Sequence, residues 1–343
     1  MHLDGQTPAI ADDFSPRFAA LTAEVRRTVY GKAEVVEKAV ICLLAGGHLL
    51  LDDRPGVGKT TLAKALAGLL AGGTVNRIQG TPDLLPSDII GTSVYERGRD
   101  DFTFRAGPVI ANIVLFDEIN RCSPRTQSAL LEAMQERRVT AFRHEQDLPE
   151  FFMVIGTQNP LESLGTYPLP EAQLDRFLMR LSLGYPDRQA ARALLKTHGR
   201  PDAAPPDRPE DAASAWPVSV FREMARQAAA LPVSDAVYDY LLAVVEATRT
   251  HPAVVLGASP RASVDLLRAA RVSALVRRPA GTPEQPAHLR PEDVRDVAAD
   301  VLAHRLMLTG PGGAPEQRAI VESILGTVPT GQVPVTRPRN ARR

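Results

Sequence analysis

The chain has 343 residues, 44% of them hydrophobic, and its forty basic and forty acidic side chains cancel to a formal net charge of zero. That length is comfortable for two domains, and so apolar a composition builds a sizeable core, which excludes a disordered or fibrous protein. A neutral chain lacks the broad basic footprint of a nucleic-acid binder.

The opening stretch, "MHLDGQTPAIADDF", has neither the basic start nor the apolar centre of a signal peptide, and residues 1–15 are expected to be flexible. Helical patterns cover 16–30 and 32–45. The longest apolar run, 39–51, is too short to span a bilayer and is broken by Gly46 and Gly47. It reads as a helix end, a glycine cap and a buried strand, "HLLLD". A glycine-rich loop and a helix over 59–70 follow, then a strand candidate, "TVNRIQG", at 74–80. "SVYERG" and "FTFRA" alternate around a turn like a small hairpin. Residues 112–118, "NIVLFDE", form a continuous apolar run ending in two acids, as expected of a strand buried on both faces. A helix over 124–137 opens on Pro124, and further strands are expected at 151–159 and 178–185. Strands alternating with helices predict a parallel α/β sheet up to about residue 185.

Beyond that point the strand signal disappears. A first helix is followed by a loose stretch rich in Pro, Ala and Asp at 199–213, and then by amphipathic helices at 218–230, 234–248, 260–277, 291–306 and 315–325. The expected organisation is an α/β core over 16–186, an all-helical unit over 187–330, and a flexible basic tail, 331–343, with no internal repeat. Cys42 and Cys122 lie in no metal-binding spacing and are expected to be buried thiols in a reducing cytosol. The protein is expected to be soluble and cytoplasmic, with no membrane insertion.

The stretch 49–66, "LLLDDRPGVGKTTLAKAL", carries the first chemistry. It follows the phosphate-loop pattern G-x-x-x-x-G-K-[ST], except that Asp53 stands in the first glycine slot. Gly56 and Gly58 let backbone amides approach phosphates, Lys59 would reach the β and γ oxygens, and Thr60 would offer a hydroxyl to magnesium. Asp tolerates unusual backbone angles, and its charge costs about 1 kcal/mol near a screened phosphate. Two readings of Asp53 therefore stand, a tolerated strand-end residue and a lesion. In "NIVLFDEIN", Asp117 would hold the metal through its water shell, and Glu118 would polarise the attacking water. The plainer alternative for that pair is a set of helix-capping acids.

The order of motifs resembles the AAA+ ATPases and, more narrowly, the MoxR family. The resemblance rests on "LPSDIIG" (85–91), "DEINR" (117–121), "TQSALLEAMQE" (126–136), "GTQNP" (156–160), "GTYPLPEAQLDRF" (165–177) and "GASPRAS" (257–263). It covers roughly 20–329 and implies a P-loop nucleotide-binding core followed by a helical lid. An acid pair before "PGVGK" is a common form in that family. Nucleotide contacts would come from Pro55, Gly56, Val57, Gly58, Lys59, Thr60 and Thr61, with Asp117, and more weakly from the turn holding Tyr30, Gly31 and Lys32. The metal residues would be Thr60 and Asp117.

The same resemblance makes Asn159 the sensor that orients the lytic water, although an Asn-Pro turn is its local alternative. Arg176 matches an arginine finger that reaches the γ-phosphate of a neighbouring subunit, and Arg261 the second sensor, with a first-turn helix arginine as the alternative. The implied activity is hydrolysis of ATP with Mg²⁺ in a ring, expected to be a hexamer, that remodels, matures or inserts cofactors into client proteins. A partner with a von Willebrand factor A domain is expected. A chelatase-like motor subunit shares the core, as does a nucleic-acid motor or transcription activator. The neutral charge and the lack of a G-A-F-T-G-A loop oppose the latter. The intact Lys59, Asp117, Glu118 and Asn159 oppose a non-hydrolysing scaffold. Two hairpins, around 95–104 and within "VTAFRHEQDLPEF", would face a pore or partner. Gly80 departs from the family's bulky apolar residue, and "FRHEQD" carries an added basic load; both are expected to bear on partner contacts alone. His144 is expected to be a solvated turn residue.

Overall fold

The computed structural model describes residues 13–54, 56–98, 100–141, 144–159, 166–198, 215–278, 288–310 and 312–330. Pro55, residues 1–12, the loose stretch 199–213 and the tail 331–343 lie outside them. Helices α1 (Phe14–Arg26) and α2 (Ala33–Leu44) come first. α1 starts inside the segment expected to be flexible, because Phe14 belongs to the buried stripe it shares with Phe18, Leu21 and Val25.

The sheet region follows as β1 (Leu49–Asp52), α3 (Lys59–Gly68), β2 (Val75–Gln79), the short α4 (Pro86–Ile90), and a hairpin of β3 (Gly91–Glu96) and β4 (Asp101–Ala106). Then come β5 (Ile113–Asp117), α5 (Pro124–Glu136), a second hairpin of β6 (Arg138–Ala141) and β7 (His144–Asp147), β8 (Met153–Gln158), α6 (Glu171–Leu174), β9 (Met179–Leu181) and α7 (Arg188–His198). The remaining chain is mostly helical: α8 (Val218–Ala229), α9 (Asp235–Thr250), β10 (Val254–Leu256), α10 (Pro260–Val276), α11 (Pro291–Leu302), β11 (Met307–Leu308) and α12 (Ala314–Thr327). The small antiparallel ladder of β10 and β11 was not visible as a strand signal, being only three and two residues long.

Five parallel strands form the main sheet in the order β2-β5-β8-β1-β9. Their side chains feed two cores by strict alternation. Leu49, Leu51, Ile113, Leu115, Met153 and Ile155 enter one cluster, while Leu50, Val114, Phe116 and Val154 enter the other. Both faces are thus covered, which is why these strands appear as unbroken apolar runs. The first cluster continues through α1, α2 and the helices α8 to α12, so the helical lid is packed against the same core. Polar links across that junction include Arg180 Nη2 to Gln317 Oε1 at 2.6 Å and Lys38 to Asp300 at 3.6 Å. The architecture is the AAA+ one: a parallel α/β sheet and a helical lid.

Parallel pairing sets all five strand C-termini along one edge. Gln79 pairs with Asp117, and Asp52 with Gln158. The chain leaves β1 for the far edge and returns through β5 and β8 to β1's flank, so a crevice opens beyond these C-termini, where ligands bind in such sheets.

Candidate nucleotide site

The loop after β1 has the backbone geometry of an anion-binding turn. Gly58 caps α3 at φ +99°, and Gly56 sits at φ +81°, a region that L side chains rarely adopt. No atom lies within 4 Å of where a Cβ would stand on either residue, so the loop backbone borders open space at the N-terminus of α3. Lys59, Thr60 and Thr61 form the first turn of α3, all half-buried, and Val57 anchors the loop against the core. Lys59 Nζ donates to the Asp53 carbonyl at 3.0 Å.

Asp53 itself turns away from the loop. Its carboxylate accepts from Ser182 Oγ at 2.8 Å, from the Leu183 amide at 2.5 Å and from the Gly184 amide at 3.0 Å. Asp53 is 5% exposed, and its charge caps the end of β9. Of the two readings of this residue, the strand-end role is the one its contacts support.

Two strands away, Asp117 ends β5 and Glu118 follows at φ 55°, a left-handed angle unusual for a non-glycine residue. Asp117 Oδ1 accepts from Thr157 Oγ1 at 3.2 Å, and Oδ2 from Arg77 Nε at 2.8 Å. The Thr157 hydroxyl also accepts from the Glu118 amide at 3.0 Å, which locks the bend. Glu118 Oε2 accepts from Gln79 Nε2 at 2.9 Å and pairs with Arg121 Nε at 3.1 Å. These contacts correct the capping alternative, since neither carboxylate caps a helix. Gln79, Arg77 and Thr157 escaped the sequence reading. The alternation in "VNRIQ" does put Arg77 and Gln79 on one face of β2, the only signal that could have found them.

Gly80 also has its explanation here. Its amide donates to the Asp117 carbonyl at 2.7 Å, and a Cβ on it would lie 2.2 Å from the Glu118 carbonyl oxygen. The departure from a bulky residue therefore bears on the acid pair, where the expectation above had confined it to partner contacts. Asn159 is buried just past β8, between the strands that carry Asp117 and the loop.

The family model described as "ATPase family associated with various cellular activities (AAA)" matches residues 48–179, and that for "AAA lid domain" matches 246–324. "Chaperone MoxR1" of Mycobacterium tuberculosis is 41% identical over 321 residues, 90% of this chain and 81% of its own. "Protein MoxR" of Paracoccus denitrificans is 32% identical over 91% of this chain and 95% of its own. The chain belongs to the MoxR family of AAA+ ATPases. "Uncharacterized protein YeaC" of Bacillus subtilis is likewise 41% identical, over 96% of this chain and 98% of its own. A crystal structure of a "putative ATPase" from Cytophaga hutchinsonii superposes with a TM-score of 0.80 at 33% identity, over 93% of this chain and 96% of that one.

The other residues of this MoxR-family chain that the sequence singled out lie further out. Arg176 follows α6 and is half-buried. It lines a pocket of about 270 Å³ walled by Glu132, Gln135 and Glu136 of α5, and no loop residue lines that pocket. Burial, and then the nearby Arg261, lower its pKa against the pull of the two glutamates. Arg261 is exposed in the first turn of α10, opened by Pro260 and capped by Ser259, whose Oγ accepts from the Ala262 amide. Tyr30 and Gly31 lie in the turn between α1 and α2, which Lys32 ties to the Tyr185 carbonyl at 2.7 Å. His144 is not in a turn. It opens β7, stacks on Phe104, and its Nε2 lies 3.2 Å from the Phe102 carbonyl, so it bridges the two hairpins.

The residues present fit a nucleotide with its magnesium ion. The open amide-lined loop suits phosphate, and the Thr60 hydroxyl and Asp117 carboxylate are hard oxygen donors. Among the described residues no group of three His, Cys, Asp or Glu could hold a metal alone. Magnesium needs none, since it keeps several waters and leans on phosphates. Both cysteines are buried, and burial pushes the Cys122 thiol up to about 11. No helix among the described residues is long and apolar enough to cross a membrane.

Proposed function

We propose that this MoxR-family protein hydrolyses ATP to ADP and phosphate with Mg²⁺, and spends that turnover on chaperone-like remodelling of client proteins. The observation that carries the reading is the carboxylate of Glu118. Gln79 and Arg121 hold its Oε2, which leaves Oε1 for a water at the edge where the loop ends. Lys59, which donates to the Asp53 carbonyl, would turn to the β and γ oxygens of a bound nucleotide. Thr60 and Asp117 would hold the metal, which would supply charge neutralisation on the phosphates. Glu118 takes the proton from the attacking water, and Asn159 orients that water. Arg176 serves the neighbour's site, so turnover needs a ring, which we take to be a hexamer. The name of MoxR1 as a chaperone supports the remodelling role. A cytoplasmic setting and a partner bearing a von Willebrand factor A domain complete the proposal.

The test is phosphate release by wild type and Glu118→Gln. The variant keeps its affinity for a fluorescent ATP analogue and loses at least about a hundredfold in kcat, the contribution of a positioned base. Wild-type turnover in that variant would remove Glu118 from the role.

A further inference from the structure

A buried ionic network joins the two arginines that lie outside the loop. Arg305, just after α11, is only 4% exposed. Its Nη2 donates to the Phe177 carbonyl at 2.8 Å and to Asp265 Oδ2 at 2.7 Å, and its Nη1 lies 3.4 Å from Asp175 Oδ1. The Ser259 hydroxyl donates to the Asp175 carboxylate, 2.9 and 3.0 Å from its two oxygens. His304 adds a contact of 2.9 Å between Nε2 and the same Phe177 carbonyl.

The positions matter more than the number of contacts. Residues 175 and 177 flank Arg176, and both are gripped by Arg305. Ser259 and Asp265 flank Arg261 along α10, and the same cluster grips them too. Among the described residues neither guanidinium is tied into this network: that of Arg176 feels Glu132 and Glu136 of α5 and the charge of Arg261, and Arg261 is exposed. Each arginine thus stands between two residues that the network fixes. Such a cluster is costly to bury, since each charge gives up its water, and removing one partner would leave another charge uncompensated.

We propose that Asp175 is a positioning residue: through Ser259 and Arg305 it locks the lid helix bearing Arg261 to the core segment bearing Arg176. A lid movement at a protomer's own site then displaces the arginine it offers its neighbour, and the reverse. This rests on the ATPase reading above, in which Arg176 acts across the ring and Arg261 on the chain's own nucleotide.

The full-length protein is examined as wild type, Asp175→Ala, Asp175→Asn, Ser259→Ala and the Asp175→Ala/Ser259→Ala double variant. Amide hydrogen exchange is followed over 174–178 and 257–264, with kcat, affinity for a fluorescent ATP analogue, and Tm. Asp175→Ala speeds exchange in both segments and lowers kcat about tenfold, within the range that displacement of a catalytic group produces. Asp175→Asn keeps an oxygen for the Ser259 hydroxyl and stays within about threefold of wild type. The double variant is no slower than Asp175→Ala, because both changes cut one link. Unchanged exchange at 257–264 in Asp175→Ala would overturn the lock. Faster exchange with undiminished kcat, or a hundredfold additive loss in the double variant, would overturn the coupling. Were wild type to release no phosphate, the ATPase reading would fall, and the exchange pattern would still decide the lock.

Discussion

Asp53 shows how one residue can violate a motif and preserve its backbone geometry. The phosphate loop needs positive φ at Gly56 and Gly58, and those are present. The first slot of the pattern needs only a strand that turns, and here the turn is fastened by a carboxylate to three donors on the β9 side. Replacing Asp53 by Gly restores the motif on paper and strands the buried Leu183 amide and the half-buried Gly184 amide. Each lost buried partner costs about 1–3 kcal/mol, so a loss on the order of 3 kcal/mol is expected, seen as a lower midpoint in denaturant. ATP affinity should shift by less than about tenfold, or 1.4 kcal/mol. A hundredfold gain in affinity would mark the native loop as impaired. Gly80 is the complementary case: there the missing side chain is what lets β2 close on Asp117 and Glu118.

At the scale of elements, a single imidazole bridges α5 and β8. His48, just before β1, accepts from the Val154 amide at Nδ1, 3.0 Å, and donates from Nε2 to the Met134 carbonyl, 3.2 Å. Both bonds require the neutral ring. Burial, reinforced by Arg137, lowers its pKa to about 3. The folded state therefore refuses a proton that the unfolded chain accepts near pH 6.5. The stability from neutral His48 is complete above about pH 6.5 and is lost as pH falls toward 3. Between pH 7 and pH 5 the loss is on the order of 2 kcal/mol. Buried His304, also shifted well below its ordinary value by burial, acts in the same direction. Thermal midpoints across pH 5–7 should fall with acid, and less steeply in His48→Asn, whose amide oxygen can still accept from Val154. An equal slope in that variant would remove His48 from the account.

At the scale of the whole molecule, the candidate finger sits against α5. Arg176 borders the acidic pocket on α5, none of whose lining residues belongs to the loop. The proposed role of Arg176 at a site on another copy predicts complementation. Arg176→Ala and Lys59→Ala should each be nearly inactive while Arg176→Ala still binds nucleotide. Mixed rings should regain measurable phosphate release, because some junctions then combine an intact loop with an intact arginine. No recovery in rings shown to be mixed would place Arg176 elsewhere in the mechanism.

Local chemistry made much of this protein legible. The G-K-T turn, the apolar run ending in Asp117 and Glu118, and the apolar spacing of α9 to α12 follow from period, capping and glycine geometry, which act within a few residues. Composition and motif order likewise carried the family. Other features depend on which strands become neighbours, and no short stretch encodes that. Gln79 reaches Glu118 only because β2 lies beside β5, and Asp53 finds its donors only because β9 flanks β1. The Asp175–Ser259–Arg305 cluster spans 130 positions of sequence and forms only when the lid packs onto the core. Hydrogen bonds and ion pairs act over a few ångströms in space, without regard to distance along the chain, so the fold alone decided them.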